Sequence, residues 1–106
     1  MVEHILPTEL KQRLDRGDAV VVLDVREPDE LVLARLPAVV HIPMGDIPNR
    51  LHELDPDREI VVMCHHGTRS AHVASFLLQR DFTRVLNLHG GIDAWSLTVD
   101  PSVPRY

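Results

Sequence analysis

Residues 60–70 read IVVMCHHGTRS, and this stretch decides how the chain folds. Residues 60–63 are a short, mostly β-branched apolar run, which is typical of a strand buried on both faces. The chain then passes through Cys64 and Gly67 into an amphipathic stretch that predicts a helix from about Arg69. A buried strand followed at once by a helix indicates a parallel α/β sheet.

The same alternation continues in both directions from this stretch. Short apolar runs predict strands, and amphipathic stretches, several of them started by proline, predict helices between them. The predicted strands cover residues 2–5, 19–25, 39–42, 60–63 and 84–88, and the predicted helices cover about 7–16, 28–34, 46–54, 69–80 and 91–96. No linker or internal repeat divides the chain, so we expect one α/β domain over residues 1–106.

The composition is that of an ordinary soluble globular domain. Of 106 residues, 44% are hydrophobic and 25% are charged, which excludes collagen-like, disordered and coiled-coil classes. The net charge of −5 disfavours nucleic acid and anionic membranes as partners. No apolar run approaches the roughly 18 residues of a membrane helix, and the charged N-terminal region is unlike a targeting peptide. A single cysteine excludes an internal disulfide, and we expect a reducing, cytoplasmic location.

Cys64 follows a predicted strand at the position where such a fold binds its ligands. Ligands of open α/β sheets lie outside the carboxyl ends of the strands. The loop amides and the start of the next helix form a concave site for anions. Gly67 allows a tight loop, and Arg69 adds a forked cation. These features favour the thiolate, which is the nucleophilic form of cysteine, so we predict that Cys64 is a nucleophile.

Two other interpretations of the cysteine explain less. As a small buried hydrophobe at a strand end, Cys64 would leave the glycine, the arginine and the immediate helix start without a reason. A zinc site built from Cys64, His65, His66 and His72 matches no common finger or ribbon spacing and offers a single thiolate. We therefore predict no metal.

The loop resembles the active-site loop of the rhodanese family, the sulfurtransferases. That family's pattern of Cys-x-x-Gly-x-Arg followed by Ser or Thr is matched by Cys64, Gly67, Arg69 and Ser70. Other segments agree with the family in order and spacing, namely residues 24–27 with Glu30, residues 41–43, and residues 87–92 with Trp95. The resemblance covers essentially the whole chain and is to a single-domain rhodanese.

The resemblance implies a three-layer rhodanese-like fold with a five-stranded parallel sheet, strand order 3-2-4-5-1, and helices on both faces. Strands two and four are then neighbours, so Asp24 and Arg26 are expected at the edge of the sheet that carries the Cys64 loop. There Asp24 would brace the loop backbone or Arg26, or would only hold the turn at the end of its strand. Ala38 stands where the family has a glycine, so we expect a rearranged turn over residues 34–39.

The resemblance also implies the activity. The Cys64 thiolate takes the outer sulfur of a small anionic donor such as thiosulfate and becomes a persulfide. A thiol or cyanide acceptor then removes the sulfur, and no metal or organic cofactor is needed. The donor-binding residues implied are His65, His66, Gly67, Thr68, Arg69 and Ser70. Residues 99–106 are similar to the ends of rhodanese domains fused to enzymes that activate sulfur carriers, which indicates a sulfur-carrier protein as an acceptor.

Two rival functions can be separated on the sequence. Cysteine-dependent phosphatases and related arsenate reductases place five residues between cysteine and arginine, whereas four separate Cys64 from Arg69. The shorter loop fits a sulfur centre better than a tetrahedral phosphate. A rhodanese-like module that only binds a partner often lacks the cysteine, which is present in this chain. A sulfur-relay module with little thiosulfate turnover stays as an alternative. We therefore expect a thiosulfate sulfurtransferase.

Overall fold

The computed structural model describes residues 2–106 and confirms the predicted α/β architecture. The elements are β1 Glu3–Ile5, α1 Pro7–Asp15, β2 Val20–Asp24, α2 Pro28–Leu33, β3 Val40–His41, α3 Ile47–Arg50, β4 Glu59–Met63, α4 Thr68–Leu78, β5 Val85–Leu88 and α5 Gly91–Thr98. A 3₁₀ turn stands on each side of α3, at Met44–Asp46 and Leu51–Glu53.

Five parallel strands form one sheet in the order β3-β2-β4-β5-β1, as the resemblance implied. The central strand, β4, pairs with β2 on one side and with β5 on the other. Asp24 at the end of β2 is in register with Met63 at the end of β4. The loop that follows Met63 therefore opens in the middle of the carboxyl edge of the sheet.

The side chains of β4 alternate between two hydrophobic cores, one on each face of the sheet. Ile60, Val62 and Cys64 pack on the face covered by α3 and α4, whereas Val61 and Met63 pack on the face covered by α1 and α5. This period of two is intrinsic to an extended strand. It places the cysteine on the same side of the sheet as α4, the helix that its own loop begins.

The prediction of one continuous helix over residues 46–54 is wrong. Helix α3 spans four residues only, because Arg50 leaves the helical region at φ −122° and ψ 16°. The chain continues as a 3₁₀ turn, in which the Leu54 N–H donates to the Leu51 carbonyl at 3.0 Å. Such turns commonly end short helices.

The turn over residues 34–39 contains a left-handed residue although it lacks a glycine. Ala38 has φ +57°, a conformation that costs an L-residue about 1–2 kcal/mol. Pro37 and Ala38 line a cavity of about 400 Å³ together with Lys11 and Trp95. The turn therefore borders the face of the sheet that α1 and α5 cover.

Within residues 2–106, none of the helices combines the length and the apolar character that crossing a membrane requires.

Candidate active site

Residues 64–70 wrap around the sulfur of Cys64. The backbone N–H groups of Gly67 and Ser70 donate to Sγ at 3.1 and 3.4 Å, and Ser70 Oγ lies 3.3 Å from it. Gly67 makes the reversal possible, because it has φ +104° and stands immediately before the first residue of α4. Cys64 is only 1% exposed, so its sulfur lies at the bottom of this loop.

The loop holds the pKa of the Cys64 thiol below its ordinary value. Burial is the largest single influence and raises the pKa, but hydrogen bonds to the sulfur together outweigh it. The groups that lower it are the Ser70 hydroxyl, which also lies within hydrogen-bond reach of Asn87 Oδ1, and the backbone N–H groups of Ser70, Gly67 and His66. The sequence predicted a further contribution from Arg69, but the main contributions come from these donors.

The guanidinium of Arg69 is paired with the carboxylate of Glu30 in α2. Its Nη1 and Nη2 donate to the two Glu30 carboxylate oxygens at 2.7 and 2.8 Å. Glu30 also accepts the hydroxyl of Tyr106 at 2.8 Å and the N–H of Glu27 at 2.9 Å. The pair therefore fixes Arg69 at the start of α4, and the carboxylate offsets part of its positive charge.

We expect Glu30→Gln to remove a part of the folding stability that depends on pH. Its partners, Arg69 first, hold the pKa of Glu30 at about 2, against an ordinary value of 4.5. Because the folded value is the lower one, this stabilisation is full above about pH 4.5 and is lost as pH falls toward 2. Urea unfolding of wild type and variant should therefore differ more at pH 7 than at pH 3.

The control for this prediction is Glu53→Gln. Arg50 also lowers the pKa of Glu53, but the Glu53 side chain is 38% exposed, and pairs of exposed charges contribute little. A Glu30→Gln effect that is equal at the two pH values, or no larger than that of Glu53→Gln, would contradict the stabilising role given to the Glu30–Arg69 pair.

Tyr106 covers one side of the loop. Its ring stacks on the imidazole of His65, with centroids 3.8 Å apart and planes 5° from parallel. Its hydroxyl accepts a bond from Arg26 Nη1 at 2.9 Å and donates to Glu30. Burial lowers the pKa of His65, so this histidine adds little positive charge near neutral pH. His66, in contrast, points outward with 62% of its side chain exposed.

Asp24 and Arg26 form a buried ion pair that reaches the loop through Tyr106 and Glu30. Both residues are fully buried, and Arg26 Nη2 donates to an Asp24 carboxylate oxygen at 2.8 Å. The same nitrogen donates to the carbonyl of Ala34 at 2.8 Å. Of the three expected roles for Asp24, the structure shows the bracing of Arg26. Since Asp24 is in register with Met63, its side chain lies on the face of the sheet opposite to Cys64.

The start of α5 orients the peptide groups of the loop. The N–H groups of Ile92 and Asp93 donate to the carbonyls of Cys64 and His65 at 2.9 and 3.1 Å. These bonds satisfy donors that a helix N-terminus otherwise leaves unpaired. Because a peptide's C=O and N–H point in opposite directions, the His66 amide is directed away from α5, and it is one of the groups that lower the pKa of the Cys64 thiol.

Asn87 of β5 forms hydrogen bonds with two residues of the loop, Gly67 and Ser70. Its amide nitrogen donates to the carbonyl of Gly67 at 3.1 Å, and its amide oxygen accepts the Ser70 hydroxyl at 2.5 Å. Asn87 is almost completely buried. It belongs to the segment over residues 87–92 that resembles the rhodanese family, but the sequence alone assigned it no role.

One group of side chains in the described residues has metal-ligand chemistry. Ligand atoms of His65, His66 and Asp93 lie within 4.8 Å of one another. The Asp93 carboxylate is already paired with Arg105 at 2.8 Å. The two imidazoles stack with centroids 3.8 Å apart and planes 31° apart, and stacked rings do not direct their nitrogens at a common point. We therefore assign no metal to this group.

Residues 6–98 match the Rhodanese-like domain family. This chain belongs to the rhodanese-like family. Among its relatives is a sulfurtransferase of Allochromatium vinosum, which is 40% identical over 96 residues, 91% of this chain and 90% of that protein. The thiosulfate sulfurtransferase GlpE of Pseudomonas syringae is 33% identical over 93 residues, 88% of this chain and 87% of that protein.

Two further proteins are similar to this rhodanese-like chain, one in sequence and one in structure. A Bacillus subtilis protein named as a sulfur carrier is 38% identical over 86 residues, which is 81% of this chain but 46% of that protein. The crystal structure of a rhodanese-related protein from Thermoplasma volcanium has a TM-score of 0.85 and 31% identity, covering 98% of this chain and 99% of that one. The family and fold expected from the sequence are confirmed.

Proposed function

We propose that this rhodanese-like domain is a thiosulfate sulfurtransferase that carries the transferred sulfur on Cys64. One observation carries the proposal: a buried sulfur at the carboxyl end of β4 accepts hydrogen bonds from the N–H groups of Gly67 and Ser70. Backbone donors held in place by the fold stabilise an anion without having to reorganise during the reaction. The name of the relative GlpE supports thiosulfate as the donor.

In the first step the Cys64 thiolate attacks the outer sulfur of thiosulfate. A new S–S bond forms to Sγ, and the bond between the two sulfurs of thiosulfate breaks. Its electron pair leaves with sulfite, so the charges of −1 and −2 before the step become a persulfide anion and a sulfite dianion. This is nucleophilic catalysis through a covalent intermediate.

In the second step an acceptor attacks the outer sulfur of the persulfide. The Sγ–S bond breaks, its electron pair returns to Cys64, and the thiolate is regenerated. Cyanide leaves as thiocyanate, and a thiol leaves as its own persulfide. We propose a small thiol or a sulfur-carrier protein as the acceptor, in the cytoplasm, where thiols are kept reduced.

The donor site is proposed to consist of the loop itself. The amides of residues 65–70 would surround the transferred sulfur, while the side chains of His65 and His66 border the loop. Thr68 and Arg69 are the first two residues of α4, where N–H groups favour negative charge. The pairing with Glu30 uses two of the five N–H donors of the Arg69 guanidinium.

A sulfur-relay module with little thiosulfate turnover is the second candidate. It is favoured by the Arg69–Glu30 pair, because the carboxylate weakens the attraction of this cation for a dianion. If this candidate is right, transfer from a persulfide donor to a protein thiol will be fast, whereas the reaction of thiosulfate with cyanide will be slow.

Steady-state turnover tests the proposed function against phosphatase chemistry. We expect thiocyanate formation from thiosulfate and cyanide with ping-pong kinetics, and much slower hydrolysis of an aryl phosphate. Inserting one glycine between Thr68 and Arg69 gives the loop a phosphatase-like length, and we expect it to reduce the thiosulfate activity. Wild-type protein that hydrolyses the aryl phosphate faster than it turns over thiosulfate would contradict the proposal.

A further inference from the structure

The hydroxyl of Ser70 has one proton and two acceptors within reach. Ser70 Oγ lies 3.3 Å from Cys64 Sγ and 2.5 Å from Asn87 Oδ1. Ser70 is fully buried and Asn87 is 3% exposed, so water does not readily replace either partner. A serine hydroxyl donates a single hydrogen bond. It can therefore satisfy the amide oxygen or the sulfur, but not both at once.

The surroundings of Asn87 fix which way its amide points. One neighbour is the carbonyl of Gly67, which only accepts, at 3.1 Å from Nδ2. Nδ2 also lies 3.3 Å from His4 Nδ1, which accepts its second hydrogen when the imidazole carries its proton on Nε2. The amide oxygen must then face Ser70, and because an amide oxygen cannot donate, the proton between them comes from the serine.

We propose that Asn87 is a positioning residue whose amide oxygen holds the Ser70 proton and so controls whether that hydroxyl donates to the Cys64 sulfur. The inference rests on the proposed function, since the ionisation of Cys64 matters only if its sulfur is the nucleophile. In the neutral state the Ser70 oxygen offers lone pairs to the S–H group. When the thiol releases its proton to solvent, the hydroxyl can donate to the sulfur only by turning away from Asn87, which leaves Oδ1 without its donor.

Asn87 thus opposes ionisation of the thiol, whereas the backbone N–H groups favour it. Without the amide oxygen of Asn87, the Ser70 hydroxyl should donate freely to the Cys64 thiolate. The other charged and titratable groups near the loop are His4 beside Asn87, Glu30 paired with Arg69, Asp93 near His66 and paired with Arg105, Tyr106 stacked on His65, and Arg26, which donates to Tyr106 and pairs with Asp24. Substitutions at positions 70 and 87 leave these groups in place, so their effects cancel in a double-mutant cycle.

The test is the rate of iodoacetamide alkylation against pH for wild type, Ser70→Ala, Asn87→Leu and the double variant. Cys64 is the only cysteine, so the midpoint reports its ionisation alone. We expect Asn87→Leu to lower the midpoint by about one pH unit, the size of one hydrogen bond to a charged group. Ser70→Ala should not raise the midpoint in the wild-type background but should raise it by about one unit in the Asn87→Leu background.

The shifts in the alkylation midpoint caused by the two substitutions should not add. This non-additivity distinguishes a positioning role of Asn87 from a merely structural one. Loss of the Asn87 bond to Gly67 occurs in both Asn87→Leu proteins and cancels. A Ser70→Ala shift that is upward and equal in the two backgrounds would overturn the proposal. If Asn87→Leu does not fold, Ser70→Ala alone decides, because a rise of about one unit in the wild-type background also overturns it. Alkylation needs no sulfur donor, so the result is independent of whether thiosulfate is the substrate.

Discussion

Gly91→Ala is expected to cause a large loss of stability although it adds only one methyl group. An alanine Cβ at this position would lie 2.5 Å from the carbonyl oxygen of Cys64 and would also collide with the carbonyl of His65. Both contacts are with backbone, which cannot turn aside as a flexible side chain would. Gly91 also has φ +61°. We expect a loss of about 2–5 kcal/mol, from overpacking and left-handed strain combined.

Gly17→Ala is the matched control. Gly17 has φ +82°, but an added Cβ would meet nothing within 4 Å. The stability of Gly17→Ala should fall only by what the left-handed conformation costs an alanine, about 1–2 kcal/mol. Urea unfolding of both variants measures the difference. Gly91 lies against the loop carbonyls of Cys64 and His65, which accept the hydrogen bonds that orient the loop. Gly91→Ala should therefore also lose thiosulfate turnover while still folded, whereas Gly17→Ala should not. Equal losses of stability and activity in the two variants would contradict the role given to the α5 contact.

Cys64→Ser is expected to reduce turnover of thiosulfate and cyanide to background, a drop of about three orders of magnitude or more. A serine hydroxyl stays protonated at neutral pH and cannot carry the sulfur as a persulfide. Arg84→Ala is the control, because Arg84 precedes β5 at the opposite end of that strand from the loop and bonds to the carbonyl of Asp57. Substantial turnover in Cys64→Ser would mean that the reaction follows another route.

The sheet and the position of Cys64 could be predicted because both depend on local patterns. The apolar run before Cys64 predicts a buried strand, and the amphipathic stretch after Gly67 predicts a helix. Both are observed, as β4 and α4. The parallel arrangement then places the loop at the carboxyl edge. The strand order follows from the resemblance to a family rather than from periodicity.

The partners of the loop could not be predicted because they come from distant parts of the chain. Glu30 is 39 residues from Arg69, and Tyr106 is 76 residues from Glu30. No spacing rule connects such positions, so the sequence predicts Arg69 as a cation for the donor, while the structure pairs it with a carboxylate. Asn87 likewise belongs to a segment that resembles the family, and only its distances to Ser70 and Gly67 show what it contacts.

The prediction of one continuous helix over residues 46–54 failed for a different reason. Residues 46–54 have an amphipathic pattern that fits a helix, and Pro48 is compatible with a first helical turn. The pattern does not reveal that Arg50 departs from helical angles. Local propensity for such a short segment is weak, and packing between neighbouring elements decides its conformation.

The central claim is that Cys64 carries the transferred sulfur, and intact-mass measurement tests it most directly. Wild-type protein incubated with thiosulfate and freed of excess donor should gain the mass of one sulfur atom, and cyanide should remove it. Cys64→Ser treated in the same way should show no gain. Because the chain has a single cysteine, the adduct cannot reside on another thiol. A wild-type protein that turns over thiosulfate and cyanide without ever showing this cyanide-sensitive mass, or a Cys64→Ser variant that shows it, would contradict the account.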